Sequence, residues 1–205
     1  MRVTLLAKTE NAEFVCAKAM RSTRTDKSAD EIVITKERAI ELLRLARSDK
    51  HLGVFEHATF TVCVSGVSRV LTHQLVRHRI ASYLQQSQRQ VAPSERDWYV
   101  MPPSIGCNVD DARQNFEKLM DEIAILYCNF TSEYNIPKED ARYILPNACK
   151  THIVITMNAR QWLHFFWVRC GPTSKAQWEI KEMALAILKE LRSESPVFFE
   201  ELIDC

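Results

Sequence analysis

The chain has 205 residues, 46% hydrophobic and 26% charged, with 27 Lys and Arg against 26 Asp and Glu for a net charge of +1. This length and composition suit one globular domain, residues 1–205, with a sizeable apolar core, and the near-neutral balance excludes a general polyanion binder. Four glycines without a GxG, seven scattered cysteines without a CxxC, and no apolar run of about 18 residues exclude a dinucleotide fingerprint, a P-loop, a paired-cysteine site and a membrane helix.

A cytoplasmic protein with reduced, mostly buried thiols is therefore expected. In chain order, RVTLLAK predicts a first strand, and Thr35 caps a helix carrying Ala39, Ile40, Leu43 and Ala46 up to Ser48. HLGVFEH reads as a turn-like connection. From Thr59 to Ser65, Phe60, Val62 and Val64 alternate with smaller or polar residues, which is strand periodicity. Ser68 suits the cap of a helix with Val70, Leu71 and Leu75, delivering Arg77 near its end. Pro93, Pro102 and Pro103 mark an irregular stretch.

The longest helix is predicted from near Asp110, with Phe116, Leu119, Met120, Ile123, Tyr127 and Phe130 as one apolar stripe. Pro137 suits the first turn of a short helix through Ile144. HIVITM at 152–157 reads as a strand, and Asn158 caps the helix ARQWLHFFWVR. A final helix from Lys175 presents Ile180, Met183, Ala184, Ile187 and Leu191 before Pro196 closes it. Helices dominate and the strands are too few for a regular βαβ series, so the class is α+β, a helix-rich single domain with a small, mostly antiparallel sheet.

Acids are unevenly placed. The 38 residues between Glu56 and Glu95 contain none, yet hold Arg69, Arg77, Arg79 and Arg89. The 38 between Asp140 and Glu179 also contain none, and hold Arg142, Lys150, Arg160, Arg169 and Lys175. Uniform placement would put about ten acids in these windows. Buried segments exclude acids in general, but that does not explain why arginines stay. Either acids from elsewhere in the fold pair with them, or a bound anion does; guanidinium forks suit phosphate and carbonyl oxygens. Gln74, Gln85, Gln86, Ser82 and Ser87 add neutral groups able to recognise a polar ring.

There is no HExxH, no GxSxG and no Pro-Cys dipeptide, so the chemistry must rest on electrostatic polarisation and a cofactor that brings reactive electrons. His57, His73 and His152 read as packing or hydrogen-bonding residues, because no second ligand stands at a metal spacing. Trp162, Phe165, Phe166 and Trp167 read as core or subunit interface, and Asp110, Asp111, Glu117, Asp121 and Glu122 as a solvated face. Arg77, Arg79, Arg89 and Tyr83 could also serve a single-stranded nucleic-acid module, but the interleaved amides and the overall charge speak against that partner.

RHRIASYLQQSQR, residues 77–89, resembles the RHRxxSxxxxSxR signature of the flavin-dependent thymidylate synthases. HLGVFEH, ARYILP, NAR at 158–160, Arg169 eleven residues beyond Asn158, and AQWEI follow in the family's order across residues 51–180. The resemblance implies that family's fold and the reductive methylation of deoxyuridine monophosphate (dUMP) to thymidine monophosphate (dTMP). It implies methylenetetrahydrofolate as carbon donor, NADPH as reductant of a bound flavin adenine dinucleotide (FAD), and a homotetramer whose sites are shared between subunits. No nucleic acid and no membrane are expected as partners.

Carried over by position, Arg77, His78 and Arg79 resemble flavin contacts, with Arg77 also near the nucleotide. Gln74, Gln85, Gln86, Ser87, Gln88 and Arg89 resemble the dUMP-binding run, with Ser87 and Arg89 on the phosphate and Gln85 also toward the flavin. Arg142 would add a nucleotide contact. Asn158, Ala159, Arg160 and His164 resemble a second flavin segment, approached by His51 and Gly53. Arg169 matches the arginine that activates the uracil ring, so no protein nucleophile is implied, and no metal. Leu84, Gln85 and Gln90 depart from the family's usual residues, which leaves open a member that binds nucleotide without turnover.

Overall fold

Alternation is what makes the central strands. In β2 (Thr59–Ser68), Phe60, Val62 and Val64 turn inward, and in β4 (Lys150–Asn158), Ile153, Ile155 and Met157 do the same. With β1 (Arg2–Lys8) and the short β3 (Ser82–Gln85) they form an antiparallel sheet in the order β1-β2-β4-β3. The structure, a computed structural model, describes residues 1–92, 97–107 and 110–200.

The chain divides into two compact units. The first comprises Met1–Val64, Val76–Leu84 and the chain from Val154 onward. It holds α1 (Ala12–Ser22), α2 (Lys36–Ser48), α7 (Ala159–Cys170), α8 (Trp178–Glu194) and α9 (Pro196–Phe199). Its core is aromatic: Phe60 meets Phe199 edge-to-face at 5.4 Å, Trp162 stacks on Phe166 at 5.7 Å, and Phe55 meets Phe198 at 5.5 Å. Each such ring, fully buried, contributes roughly 1.5–3 kcal/mol by transfer alone. A smaller cluster of Ala17, Met20, Ala39, Leu42 and Ala46 joins α1 to α2, where the small residues allow close helix approach.

The second unit comprises Ser65–Leu75 and Gln85–Ile153. It carries α3 (Arg69–Leu75), α4 (Pro103–Gly106), α5 (Asp110–Cys128) and α6 (Lys138–Ala141). Its core gathers Trp98, Met120 and Cys149, flanked by Tyr99, Phe116 and Ile123.

Capping chemistry sets the boundaries legible in sequence. Thr35 accepts from the Arg38 amide, Ser68 from Leu71 and Asn158 from Gln161, so α2, α3 and α7 begin where their caps predict. Several details differ from expectation. HLGVFEH is a 3-10 helix, Leu52–His57, and not an open turn. The first unit contains α1, and the motif segment contains β3; neither had a periodic signal of its own length. The last long helix starts at Trp178 because Gln177, not Lys175, caps it, and Pro196 opens α9 instead of merely ending α8. The short helix after Pro137 spans Lys138–Ala141 and tightens to a 3-10 turn over Arg142–Ile144.

Leu119 is 51% exposed, one position off the buried line of Met120 and Tyr127. His57, His73 and His152 are exposed and not packed. Trp162, Phe165 and Phe166 are core, but Trp167 is 58% exposed. Of the six described cysteines, all free, Cys16, Cys149 and Cys170 are buried while Cys107 and Cys128 are exposed, so burial is less general than expected. Pro93, Glu95 and Cys205 lie outside the described residues. No described helix is long and apolar enough to cross a membrane.

Candidate active site

Helix α7 positions the first group of functional side chains. Trp162, Phe165 and Phe166 recur at helical spacing and are fully buried, which locks the rotation of the helix about its axis. Arg169 follows in its last turn, where the helix dipole favours a cation. Beyond it the chain doubles back so tightly that a Cβ on Gly171 would lie 2.4 Å from the Trp167 carbonyl oxygen, a position only glycine fills.

Arg169 Nε donates to His78 Nε2 across 2.9 Å. His78 is 7% exposed, and its ring packs edge-to-face on Phe165 at 5.0 Å and on His164 at 6.0 Å. Burial first, then the neighbouring Arg169 and His164, push its pKa down to about 4, so the imidazole is neutral. Burial likewise lowers the pKa of Arg169 from its ordinary value, without threatening its charge at neutral pH. The Tyr83 hydroxyl donates to the His78 carbonyl at 2.8 Å, and burial raises this phenol to about 12, which keeps it a donor. Arg77 and Arg79, on either side of His78, are exposed.

Asn158, Arg160 and His164 line one open cavity of about 990 Å3 together with Glu56, Ile80 and Trp167. Ala159 is buried beneath it. Arg160 pairs with Glu56 at 2.5 Å. His51 and Gly53 are not brought there. They line a second cavity of about 480 Å3 with Arg24, Thr23 and His57, and a Cβ on Gly53 would meet open space.

The remaining assigned residues lie in the second unit. Gln85 Nε2 donates to the hydroxyls of Thr72 at 3.2 Å and Thr151 at 3.3 Å, an arrangement an amide satisfies directly. Gln86 takes its backbone amide to the His152 carbonyl, and its own carbonyl accepts from Arg69 at 2.8 Å. Ser87 Oγ accepts from the Arg89 amide at 3.2 Å. Arg89 pairs with Glu139 at 3.0 Å, and Arg142 Nε donates to the Glu139 carbonyl at 3.0 Å. Gln88 contacts the Cys149 thiol, whose pKa burial raises to about 11, and Gln74 is half-buried on α3.

The alternatives left open for the basic windows divide between the cations. Arg89, Lys150 and Arg160 pair with Glu139, Asp97 and Glu56, all from outside the windows. Among the described residues no carboxylate pairs with Arg69, Arg77, Arg79 or Arg142. The sequence does not mark Tyr83 as the brace of His78, nor Glu56, Ile80 and Trp167 as cavity walls.

For a flavin, the larger cavity has the volume of a small-molecule site and a mixed lining. Leu52, Ile80, Leu163 and Trp167 offer apolar surface to a ring system, and Asn158 and Arg160 offer donors to phosphate or carbonyl oxygens. The residues present fit the group.

Residues 4–197 match the family described as thymidylate synthase complementing protein. The chain is 39% identical to the flavin-dependent thymidylate synthase of Geobacter sulfurreducens, covering 98% of this chain and 86% of that one. It is 39% identical to the enzyme of the same name from Sulfurisphaera tokodaii, covering 97% and 76%. Its fold is similar to the crystal structure of a UMP/dUMP methylase PolB from Streptomyces cacaoi bound with 5-Br dUMP, with a TM-score of 0.82 at 22% identity over 97% of this chain and 93% of that chain. A match that runs through both compact units, on top of the motif order and the Arg169–His78 geometry, makes this chain a member of the flavin-dependent thymidylate synthase family.

Proposed function

We propose that the protein catalyses the reductive methylation of dUMP to dTMP, with methylenetetrahydrofolate as carbon donor and NADPH as the source of reducing equivalents. The observation that carries this reading is the coupling of Arg169 to a buried, neutral His78 inside the family's signature motif. An imidazole acceptor orients the guanidinium without cancelling its charge. A carboxylate in the same place would do the reverse.

Bound in the larger cavity, FAD would supply hydride chemistry. Asn158, Arg160 and His164 would hold it, with Trp167 and Ile80 against its apolar surface and Arg77 and Arg79 meeting negative charge. Arg169 stabilises negative charge on the ring nitrogen and carbonyl of uracil, where the half-buried setting strengthens the interaction relative to water. The nucleotide is held by the Gln85–Arg89 run, Gln74 and Arg142. Ser87 Oγ is engaged by the Arg89 amide, which suits a binding turn and gives no support to a nucleophilic role.

The whole chain would act as one catalytic domain, as a homotetramer in the cytoplasm. Six free described cysteines suit a reducing compartment, and the exposed apolar Ile80, Leu84 and Trp167, with Arg77 and Arg79 that pair with no carboxylate among the described residues, suit surfaces completed by another subunit.

The test is direct. Purified protein should show a flavin spectrum that bleaches with NADPH and returns when dUMP and methylenetetrahydrofolate are added, with dTMP as product. No flavin binding under any reconstitution would reject the assignment. Flavin and dUMP binding without dTMP would favour the non-turning-over member that Leu84, Gln85 and Gln90 leave open.

A further inference from the structure

Thr72 and Thr151 belong to none of the family's motifs, yet each buries a hydroxyl, Thr72 at 1% and Thr151 at 3% exposure. Both oxygens meet one side chain. Leu71, Thr72 and Leu75 form the buried side of α3, β4 carries Thr151, and the Gln86 amide, bonded to the His152 carbonyl at 3.0 Å, sets Gln85 beside it. Gln85 Nε2 lies 3.2 Å from the Thr72 hydroxyl and 3.3 Å from that of Thr151.

Proton positions fix the direction of these bonds. Thr72 gives its hydroxyl proton to the Arg69 carbonyl at 3.1 Å, and Thr151 turns its own toward the His152 carbonyl at 3.4 Å. Each oxygen is left as an acceptor, so it takes an N–H of the Gln85 amide and not its carbonyl. A carboxylate at 85 would meet lone pairs unless both protons turned away from those carbonyls, which gives the amide at this departure from the family pattern a physical reason. With its amide protons engaged, Gln85 has Oε1 left over, and that oxygen accepts from no described residue.

We propose that Thr72, with Thr151, is a positioning residue for substrate recognition: it holds the Gln85 amide so that an acceptor, Oε1, is what the nucleotide meets. This rests on the Gln85–Arg89 run holding dUMP. A phosphate dianion offers acceptors alone, so an acceptor oxygen does not bind it. Gln85 therefore reads a donor on the nucleoside part, the N–H of uracil or a hydroxyl of the sugar. Freed from Thr72, the amide would spend time in other rotamers, and affinity would fall with the fraction still aligned.

The experiment is titration calorimetry of the flavin-loaded full chain with dUMP and with deoxyuridine. Thr72→Val keeps the shape and removes the acceptor; both ligands should weaken by the same factor, about three- to tenfold, the range for one neutral hydrogen bond. Thr72→Ser, which keeps the hydroxyl, should recover most of the loss. Gln85→Ala should weaken both ligands at least as much, and adding Thr72→Val to it should cause no further loss, because the two residues act as one unit. A Thr72→Val loss that persists in the Gln85→Ala background would make Thr72 merely structural and overturn the proposal, as would unchanged binding in Thr72→Val or a loss confined to dUMP. If Thr72→Val does not fold, Thr151→Val removes the other acceptor and is read in the same way. A wild-type protein that binds no dUMP would overturn the substrate assignment itself.

Discussion

Arg169 Nε and His78 Nε2 are 2.9 Å apart, with the guanidinium as donor and the imidazole as acceptor. The direction fixes the tautomer, since an accepting Nε2 puts the imidazole proton on Nδ1. Phe165 and His164 hold the ring laterally, and Tyr83 holds the His78 carbonyl. His78 is thus a positioning residue for Arg169. His78→Phe keeps the aromatic packing and removes the acceptor. Turnover should fall about tenfold or more through kcat, since a lost hydrogen bond to a charged group is worth roughly 1.5–3 kcal/mol. His78→Gln, which restores an acceptor, should recover part of the loss. Steady-state kinetics that show a change in KM alone would refute the positioning role.

The same imidazole should make stability depend on pH. Its pKa is 6.5 when unperturbed and about 4 in the fold, lowered by burial, Arg169 and His164. Between these values the unfolded chain takes up a proton that the folded chain refuses, so stability falls as pH drops from about 6.5 toward about 4. Wild-type Tm should decline over that window by more than that of His78→Phe. Parallel declines in the two proteins would show that other groups carry the effect.

Gly171 sits where α7 ends, and its requirement is steric. Gly171→Ala would force a Cβ to within 2.4 Å of the Trp167 carbonyl oxygen, so the chain after Cys170 has to shift. The cost should be about 1–3 kcal/mol, as for other overpacked sites, read as a lower Tm. Because the shift displaces the turn that carries Arg169, kcat should fall as well. A variant with wild-type Tm would mean that the backbone relaxes without strain.

Much of this architecture was legible because the signals were local. Thr35, Ser68 and Asn158 announced α2, α3 and α7 by cap chemistry, and β2 and β4 announced themselves by alternation. What escaped has a common cause. β3 is four residues long, too short for a period, and exists because β4 offers it a partner. The His78–Arg169 bond joins residues 91 positions apart, and no spacing rule links them. The cavity walls Glu56, Ile80 and Trp167 come from three segments. Missing acids marked the basic windows, but only the fold separated Arg89, which has Glu139, from Arg69 and Arg142, which have no carboxylate among the described residues.

Asn158 has two separable roles. Its Oδ1 accepts from the Gln161 amide at 2.8 Å, capping α7, and its side chain lines the larger cavity. Asn158→Ala should lose about 1 kcal/mol of stability with the cap and also lose flavin. Asn158→Ser keeps a capping oxygen but is shorter. It should hold Tm near wild type while flavin retention still falls, as measured by bound-flavin absorbance. Full flavin retention in the Ser variant would limit Asn158 to capping.

Glu139 should restrain nucleotide binding. Its carboxylate pairs with Arg89 through Nη2 at 3.0 Å and Nε at 3.2 Å, and both side chains are more than half exposed. Such a pair contributes about 1 kcal/mol at most, so a phosphate can compete for Arg89, but it does so against a negative charge already present. Glu139→Gln removes that charge and leaves the backbone carbonyl that accepts from Arg142. Affinity for dUMP should rise a few-fold at low salt, less at high salt, and affinity for deoxyuridine should not change. Unchanged or weaker dUMP binding in this variant would show that Arg89 is not a phosphate ligand.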